Sequence, residues 1–97
     1  MREKDIEEHL RDEIKAIGGK AYKFVSPGNN GVPDRLITLP GGTAIFVELK
    51  APGKKSTALQ LKKQNDLRNS GFTVFSDIDS KEKADNIVGY CKGLLKA

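Results

Sequence analysis

The chain has little of what disulfide-bonded, zinc-binding or membrane-spanning proteins require. Its 97 residues include one cysteine, Cys91, and one histidine. A single cysteine cannot form an internal disulfide, and no cluster of His and Cys has the spacing of a zinc site. No apolar run approaches the length of about 18 residues that a membrane span needs. The first residues lack the apolar core of a signal peptide. We therefore expect an intracellular, cytoplasmic protein in a reducing environment.

The length and the charge distribution indicate one domain, residues 1–97, with a basic segment. The net charge of +4 is unevenly spread. Residues 1–17 carry four basic and six acidic side chains, whereas residues 50–70 carry six basic side chains against Asp66 alone. Such a segment favours a polyanionic partner, nucleic acid first. The alternative is a solvated, lysine-rich helix face.

The stretch from residue 31 to residue 50 predicts a β-hairpin around which the rest is organised. Residues 31–37 and 45–50 are both rich in β-branched and large apolar side chains, as strands are. Between them, Pro40-Gly41-Gly42 is a cluster of strand-breaking residues that predicts the turn.

The hairpin brings three chemically active side chains to one end of a sheet. Asp34, near the start of the first strand, comes alongside Glu48 and Lys50, near the end of the second. Side chains two apart on a strand share a face, so Glu48 and Lys50 point the same way and Leu49 points into the opposite layer. The alternative is a surface hairpin without a chemical role, whose charges pair as salt bridges.

The remaining patterns complete an α/β fold with the order α-β-β-β-α-β-α. The predicted elements are a helix over residues 3–17, strands over 20–25 and 72–76, a helix over 57–70 and a last helix from Ser80 to about Leu95. Thr57 with Gln60 forms a capping-box pattern at the start of the second helix. The strand–helix–strand crossover makes the last two strands parallel. We expect a mixed four-stranded sheet flanked by helices.

The first helix carries acids close to its apolar stripe. The stripe consists of Ile6, Leu10, Ile14 and Ile17. On a helical wheel, Glu3 lies about 25° from the centre of that stripe and Glu7 about 65° from it. Either Glu3 lies where the stripe meets solvent, or it reaches the site of Asp34 and Glu48.

Two carboxylates at adjacent strand ends repel each other unless a cation lies between them. A hard divalent ion, Mg²⁺ or Mn²⁺, suits Asp34, Glu48, a backbone carbonyl (assigned here to Leu49) and waters. Lys50 would then orient or deprotonate an attacking water, or balance charge on a phosphate. Together these groups suit phosphodiester hydrolysis by in-line displacement.

These residues resemble a known family, the PD-(D/E)xK nucleases, and within it the virus-type replication-repair (VRR-NUC) nucleases. The resemblance is carried by Gly31-Val32-Pro33-Asp34, Val47-Glu48-Leu49-Lys50, Ala51-Pro52-Gly53, Gln60, Leu67 and Gly71. It implies a metal-dependent nuclease with Asp34 and Glu48 as ligands, Lys50 as the catalytic lysine and Gln60 as an auxiliary residue. It also implies an acid on the first helix, for which Glu3 matches best and Glu7 second. Short phage and bacterial members are similar to Holliday junction resolvases and act as homodimers.

The expected activity is therefore Mg²⁺- or Mn²⁺-dependent endonucleolytic cleavage of branched DNA, such as a four-way junction. The alternatives are a less selective flap or end nuclease and a module that binds DNA without cutting it. A group of four lysines in the basic segment is expected to contact the phosphates. These are Lys54, Lys55, Lys62 and Lys63.

Several apolar side chains have no evident partner in so short a chain, and they predict a homodimer contact. The alternative is a monomer whose single core encloses them. The residues are Tyr22, Phe24, Phe72, Phe75, Tyr90, Leu94 and Leu95. The last helix is nevertheless expected to bury Ala84, Ile87, Val88, Cys91 and Leu94 or Leu95.

Overall fold

A computed structural model of the chain describes residues 1–96, and its seven elements follow the predicted order. They are α1 (Glu3–Ala16), β1 (Lys20–Lys23), β2 (Arg35–Leu39), β3 (Thr43–Leu49), α2 (Ala58–Asn69), β4 (Thr73–Ile78) and α3 (Lys81–Lys96). Within residues 1–96, no helix has both the length and the apolar character that a bilayer crossing requires. The predicted fold class, α/β with a mixed four-stranded sheet, is confirmed.

The sheet has its strands in chain order, β1-β2-β3-β4. β1 and β2 are antiparallel, as are β2 and β3, whereas β3 and β4 are parallel across the α2 crossover. The hairpin turn falls where Pro40-Gly41-Gly42 predicts it. Gly41 and Gly42 adopt φ angles of 94° and 93°, a region that is open to glycine and disfavoured for residues with a Cβ.

The two faces of the sheet are covered unequally. α1 and α3 pack together over one face, and the main hydrophobic core lies beneath them. α2 covers the other face chiefly along β4, and the single fully buried side chain that it contributes is a glutamine, Gln64. The core residues are Ile6, Leu10, Ile14, Ile37, Leu39, Ile45, Val47, Leu49, Ile78, Ala84, Ile87, Val88 and Cys91.

One burial prediction for the last helix is wrong. Leu94 and Leu95 are each 37% exposed, and the buried stripe of α3 ends at Cys91. The cause is length. The 16 residues of α3 extend about 24 Å at 1.5 Å per residue, and the six residues of β4 extend only about 20 Å. The last turn of the helix therefore has no sheet to cover.

A bulge interrupts β4 beside the end of β3, which the sequence did not predict. Val47 pairs with Phe75 but Leu49 pairs with Ile78, so β4 contains one extra residue opposite Glu48. The strand consequently runs to Ile78 and not to residue 76 as predicted. Within the bulge, Asp77 has a φ of 54°.

Candidate active site

Asp34 and the end of β3 are joined by a backbone hydrogen bond. Asp34 immediately precedes β2, and its Oδ1 accepts the Leu49 N–H at 3.0 Å. The carbonyl of Asp34 accepts the Phe24 N–H at 2.8 Å, which fixes the same residue to the chain after β1. The carboxyl group of Asp34 therefore lies against the Glu48–Leu49 segment, as the hairpin register predicts.

The loop that leads into Asp34 is held against α2. Pro33 is fully buried, and Gly31 has a φ of 89°. A Cβ on Gly31 would lie 2.8 Å from Cγ of Leu59, so only glycine fits this approach. The loop thus places Asp34 with little freedom.

Glu48 is a buried carboxylic acid beside a second one. Its side chain is 3% exposed. Burial raises the pKa of Glu48 from 4.5 to about 7, the like charge of Asp34 adds to the rise, and the positive charge of Lys50 opposes it. None of the ion pairs formed among residues 1–96 includes Asp34 or Glu48. The two carboxylates therefore have no cationic partner at hydrogen-bonding distance.

Lys50 forms no ion pair within residues 1–96 and is hydrogen-bonded to Gln60 instead. Its Nζ donates a hydrogen bond to Oε1 of Gln60 at 2.7 Å. The same Oε1 accepts the Thr57 N–H at 2.9 Å, and the Gln60 N–H donates to Thr57 Oγ1 at 3.2 Å. The capping box predicted from the sequence is present, and it also supplies the acceptor for Lys50. Gln60 thus joins the predicted site through Lys50.

The donor set suits a hard divalent cation. Asp34 and Glu48 offer carboxylate oxygens, and Leu49 has a backbone carbonyl between Glu48 and Lys50 in the chain. Within residues 1–96, no group of three or more His, Cys, Asp or Glu side chains converges on one point. An ion here would rest on two carboxylates, a carbonyl and water. When bound, such an ion lowers the pKa of a coordinated water and polarises a phosphoryl oxygen.

The acids of the first helix lie in different environments. Glu3 is exposed on the first turn of α1. Glu7 is 22% exposed and pairs through Oε1 with the guanidinium of Arg35 at 3.2 Å and with Arg11 at 3.6 Å. Arg35 directly follows Asp34, so Glu7 is tied to the strand that carries the first carboxylate. A role for Glu3, or for Glu7 in its place, stays a prediction.

The basic segment presents most of its lysines to solvent. Lys54 and Lys55 are exposed in the turn that follows Lys50. Lys62 is exposed and pairs with Asp66 at 3.2 Å, whereas Lys63 is half-buried. The exposed positions suit phosphate contacts, and DNA binding by these lysines stays a prediction.

Three further polar residues near the site escaped the sequence analysis. They are Ser56, beside the start of α2, and its two hydrogen-bond partners, Asp77 and Gln64. One signal was available: Gln64 falls on the face of α2 that is turned towards the sheet, and a buried glutamine requires partners. Nothing in the sequence around Asp77 marks its left-handed backbone.

Comparisons with known proteins agree with this geometry. No family model matches the chain. The chain is 54% identical over 82 residues to "Putative nuclease p44" of Acyrthosiphon pisum secondary endosymbiont phage 1. The aligned residues cover 84% of this chain and 87% of that protein. A solved structure described as a VRR_NUC domain superposes with a TM-score of 0.82 at 29% identity, and it covers 91% of this chain and 95% of the other.

Proposed function

Because this chain belongs to the VRR-NUC nucleases of the PD-(D/E)xK superfamily, we propose that it is a Mg²⁺- or Mn²⁺-dependent endodeoxyribonuclease selective for branched DNA. One observation carries the proposal. Two adjacent carboxyl groups, one of them 3% exposed, form no ion pair within residues 1–96, and they lie near a lysine that a glutamine holds. Pure DNA binding gains nothing from acids that repel phosphate, whereas metal-assisted hydrolysis requires them.

In the proposed reaction, each residue has a distinct task. Asp34 and Glu48 hold the ion, which requires that Glu48 give up its proton. Lys50 keeps its Nζ on Gln60 Oε1, next to the carboxylates, where it orients the attacking water or offsets charge that develops on the phosphate. Because burial raises the pKa of Glu48 to about 7, metal binding and cleavage should increase as the pH rises through neutrality.

DNA binding is assigned to the exposed basic segment. Lys54 and Lys55 follow Lys50 within five residues and are both exposed. Lys62 and Lys63 continue the positive charge along α2. Contacts of this kind are to phosphates, so they position the duplex and do not read its sequence.

A homodimer is the second part of the proposal, and two exposed aromatic residues on one face of the sheet support it. Tyr22, Leu36, Phe46 and Val74 lie opposite one another across all four strands. Tyr22 is 44% exposed and Phe72, next to this row, is 45% exposed. Phe46 and Val74, in the middle of the row, are buried, so the exposed apolar surface lies at Tyr22 and at Phe72.

The aromatic residues of the proposed contact already form a row within one chain. Phe24 stacks edge-on against Phe46 with ring centroids 5.5 Å apart, and Phe46 stacks likewise against Phe72 at 5.6 Å. Tyr90 belongs to another surface, because it packs on Phe75 at 5.4 Å. We therefore assign the dimer contact to Tyr22 and Phe72, and not to α3. A two-fold dimer would present two sites to a two-fold junction.

A panel of end-labelled DNA substrates tests the function. Four-way junction, flap, nicked and linear duplexes of matched sequence would be incubated with Mg²⁺, Mn²⁺ or Ca²⁺, or with excess EDTA. We expect cleavage in Mg²⁺ or Mn²⁺ and strongest on branched DNA. Preferential cleavage of flaps or ends would support the less selective nuclease instead. Cleavage that survives EDTA, or binding without cleavage in every metal, would overturn the proposal.

Matched variants assign the activity to the site. Asp34→Asn and Glu48→Gln remove a charge at nearly constant size and should abolish cleavage. Glu82→Gln makes the same change on the exposed first turn of α3 and should leave cleavage unaltered. Equal activity of Glu48→Gln and Glu82→Gln would show that the carboxylates are not part of the reaction.

An intracellular site of action completes the proposal, in keeping with the free thiol of Cys91.

A further inference from the structure

We propose that Asp77 is a positioning residue for Lys50, acting through Ser56 and the first turn of α2. The inference rests on the proposed catalytic role of Lys50 and concerns how its side chain is held. Asp77 lies in the bulge of β4, opposite the end of β3. The Lys50 N–H donates to the carbonyl of Ile78 at 3.0 Å, so the bulge and Lys50 are directly connected.

The side chain of Asp77 anchors the segment before α2. Its Oδ1 accepts two hydrogen bonds from Ser56, one from the N–H and one from Oγ, both at 2.7 Å. The hydroxyl of Ser56 that donates to Asp77 lowers the pKa of that carboxyl group, so Asp77 is an ionised acceptor. Such charge-assisted bonds are short and strong.

Gln64 fixes the same serine from the helix side. It is fully buried, and its Nε2 donates to Ser56 Oγ at 3.1 Å. Its Oε1 accepts from Ser76 Oγ at 2.5 Å, and Ser76 Oγ in turn accepts from Arg68 at 2.7 Å. The Ser56 hydroxyl thus donates to Asp77 and accepts from Gln64, and the start of α2 is tied to β4.

The connection to the site runs through one oxygen atom. Ser56 precedes Thr57, whose N–H donates to Gln60 Oε1. That same Oε1 is the acceptor for Lys50 Nζ at 2.7 Å. If the first turn of α2 moves, the acceptor for Lys50 moves with it. A misplacement of about 1 Å in a reacting group can reduce the rate on the order of 100-fold.

The left-handed backbone of Asp77 allows its side chain to be replaced without straining the chain. At a φ of 54°, glycine is unstrained and asparagine is well tolerated. Asp77→Gly therefore preserves the bulge and removes only the acceptor for Ser56. Asp77→Asn retains an Oδ1 acceptor and removes the charge. Asp79→Asn is the matched control, because Asp79 is the next carboxylate along the chain and bonds to Gly53 and Lys83 instead of Ser56.

Cleavage kinetics at saturating metal, with unfolding midpoints measured in parallel, give the first test. For Asp77→Gly we expect kcat to fall on the order of 10- to 100-fold. KM for DNA should stay within about twofold. The unfolding midpoint should fall, because two charge-assisted hydrogen bonds are lost, so kcat is measured well below the midpoints of all variants. Asp77→Asn and Asp79→Asn should retain kcat within about threefold. The inference is overturned if Asp77→Gly keeps its kcat, or if Asp77→Asn loses as much as Asp77→Gly. A loss of kcat that appears only at temperatures near the unfolding midpoint would also refute it.

An NMR measurement keeps this inference separate from the proposed function. The two ε-methylene protons of Lys50 should be inequivalent while Nζ is held on Gln60, and they should merge towards free-lysine shifts in Asp77→Gly. If the unmodified protein cuts no DNA, the proposed function fails but this measurement still decides the positioning. Unchanged Lys50 ε-methylene signals in Asp77→Gly would refute it whatever the activity.

Discussion

Replacing Glu48 by glutamine should make the metal-free protein more stable at alkaline pH. Glu48 is 3% exposed and lies beside Asp34, which raises its folded-state pKa from 4.5 to about 7. A carboxyl group with a raised folded pKa binds its proton more tightly in the folded chain than in the unfolded chain. Its contribution to stability is therefore fully present below about pH 4.5 and is lost as the pH rises through 7. Glutamine keeps the shape of the neutral acid at every pH.

The magnitude follows from the two pKa values. Between pH 5.5 and pH 8, loss of the Glu48 proton should lower the free energy of unfolding by about 2 kcal/mol. For a domain of this size, that corresponds to a fall in Tm of roughly 8–16 °C. Glu48→Gln should lack this component, so between pH 5.5 and pH 8 its Tm should fall by roughly 8–16 °C less than that of the unmodified protein. Mg²⁺ at pH 8 should restore Tm in the unmodified protein and leave Glu48→Gln unchanged, because a ligand of the folded state stabilises it.

Thermal unfolding followed by circular dichroism, at pH 5.5 and pH 8 after EDTA treatment, measures both effects. All other ionisable groups are the same in both proteins, so their contribution cancels in the difference. Glu82→Gln on the exposed first turn of α3 is the matched control. If the Tm values of Glu48→Gln and the unmodified protein change in parallel with pH, the reasoning about the buried acid is refuted.

Three further predictions follow from the site and its surroundings. Lys50→Ala should abolish cleavage while leaving Tm nearly unchanged, because Lys50 lies beyond the end of β3; cleavage at the original rate would refute its role. Reversing the charges of Lys54 and Lys55 should weaken binding to all DNA shapes and reduce the slope of log K against log salt by about 2. Reversal at exposed Lys92 of α3 is the control, and an unchanged slope would place the substrate elsewhere. Phe72→Ser should convert a dimer into a monomer by light scattering at micromolar concentration, whereas a monomeric unmodified protein would contradict the proposed contact.

The arrangement of the candidate site residues could be predicted because it depends on short-range patterns. The Pro40-Gly41-Gly42 turn sets the register of the hairpin, and the register alone brings Asp34 to Glu48. The Thr57–Gln60 capping box is a pattern of four residues, and it fixes Gln60 on the first turn of α2. In both cases a strong local preference and the global fold require the same arrangement.

The supporting residues could not be predicted because their partners are distant in the sequence. Asp77 and Ser56 are 21 positions apart, and Gln64 and Ser76 are 12 apart. Their pairing depends on how α2 lies over β4 and on one extra residue in that strand. The prediction that the end of α3 is buried was wrong for a similar reason. The pattern of Leu94 and Leu95 indicates an apolar stripe, but it contains nothing about where the sheet ends.

We also expect the position of Lys50 to determine how readily the carboxylates of Asp34 and Glu48 accept a cation. Lys50 donates to Gln60, and no ion pair among residues 1–96 joins it to Glu48. If its ammonium group were released, it would be drawn towards the charged pair of Asp34 and Glu48, and a divalent ion would have to displace it. Asp77→Gly should therefore weaken Mn²⁺ binding at pH 8, measured by calorimetry without DNA, whereas Asp77→Asn should not. Equal affinities in the two variants would show that the carboxylates accept metal independently of where Lys50 is held.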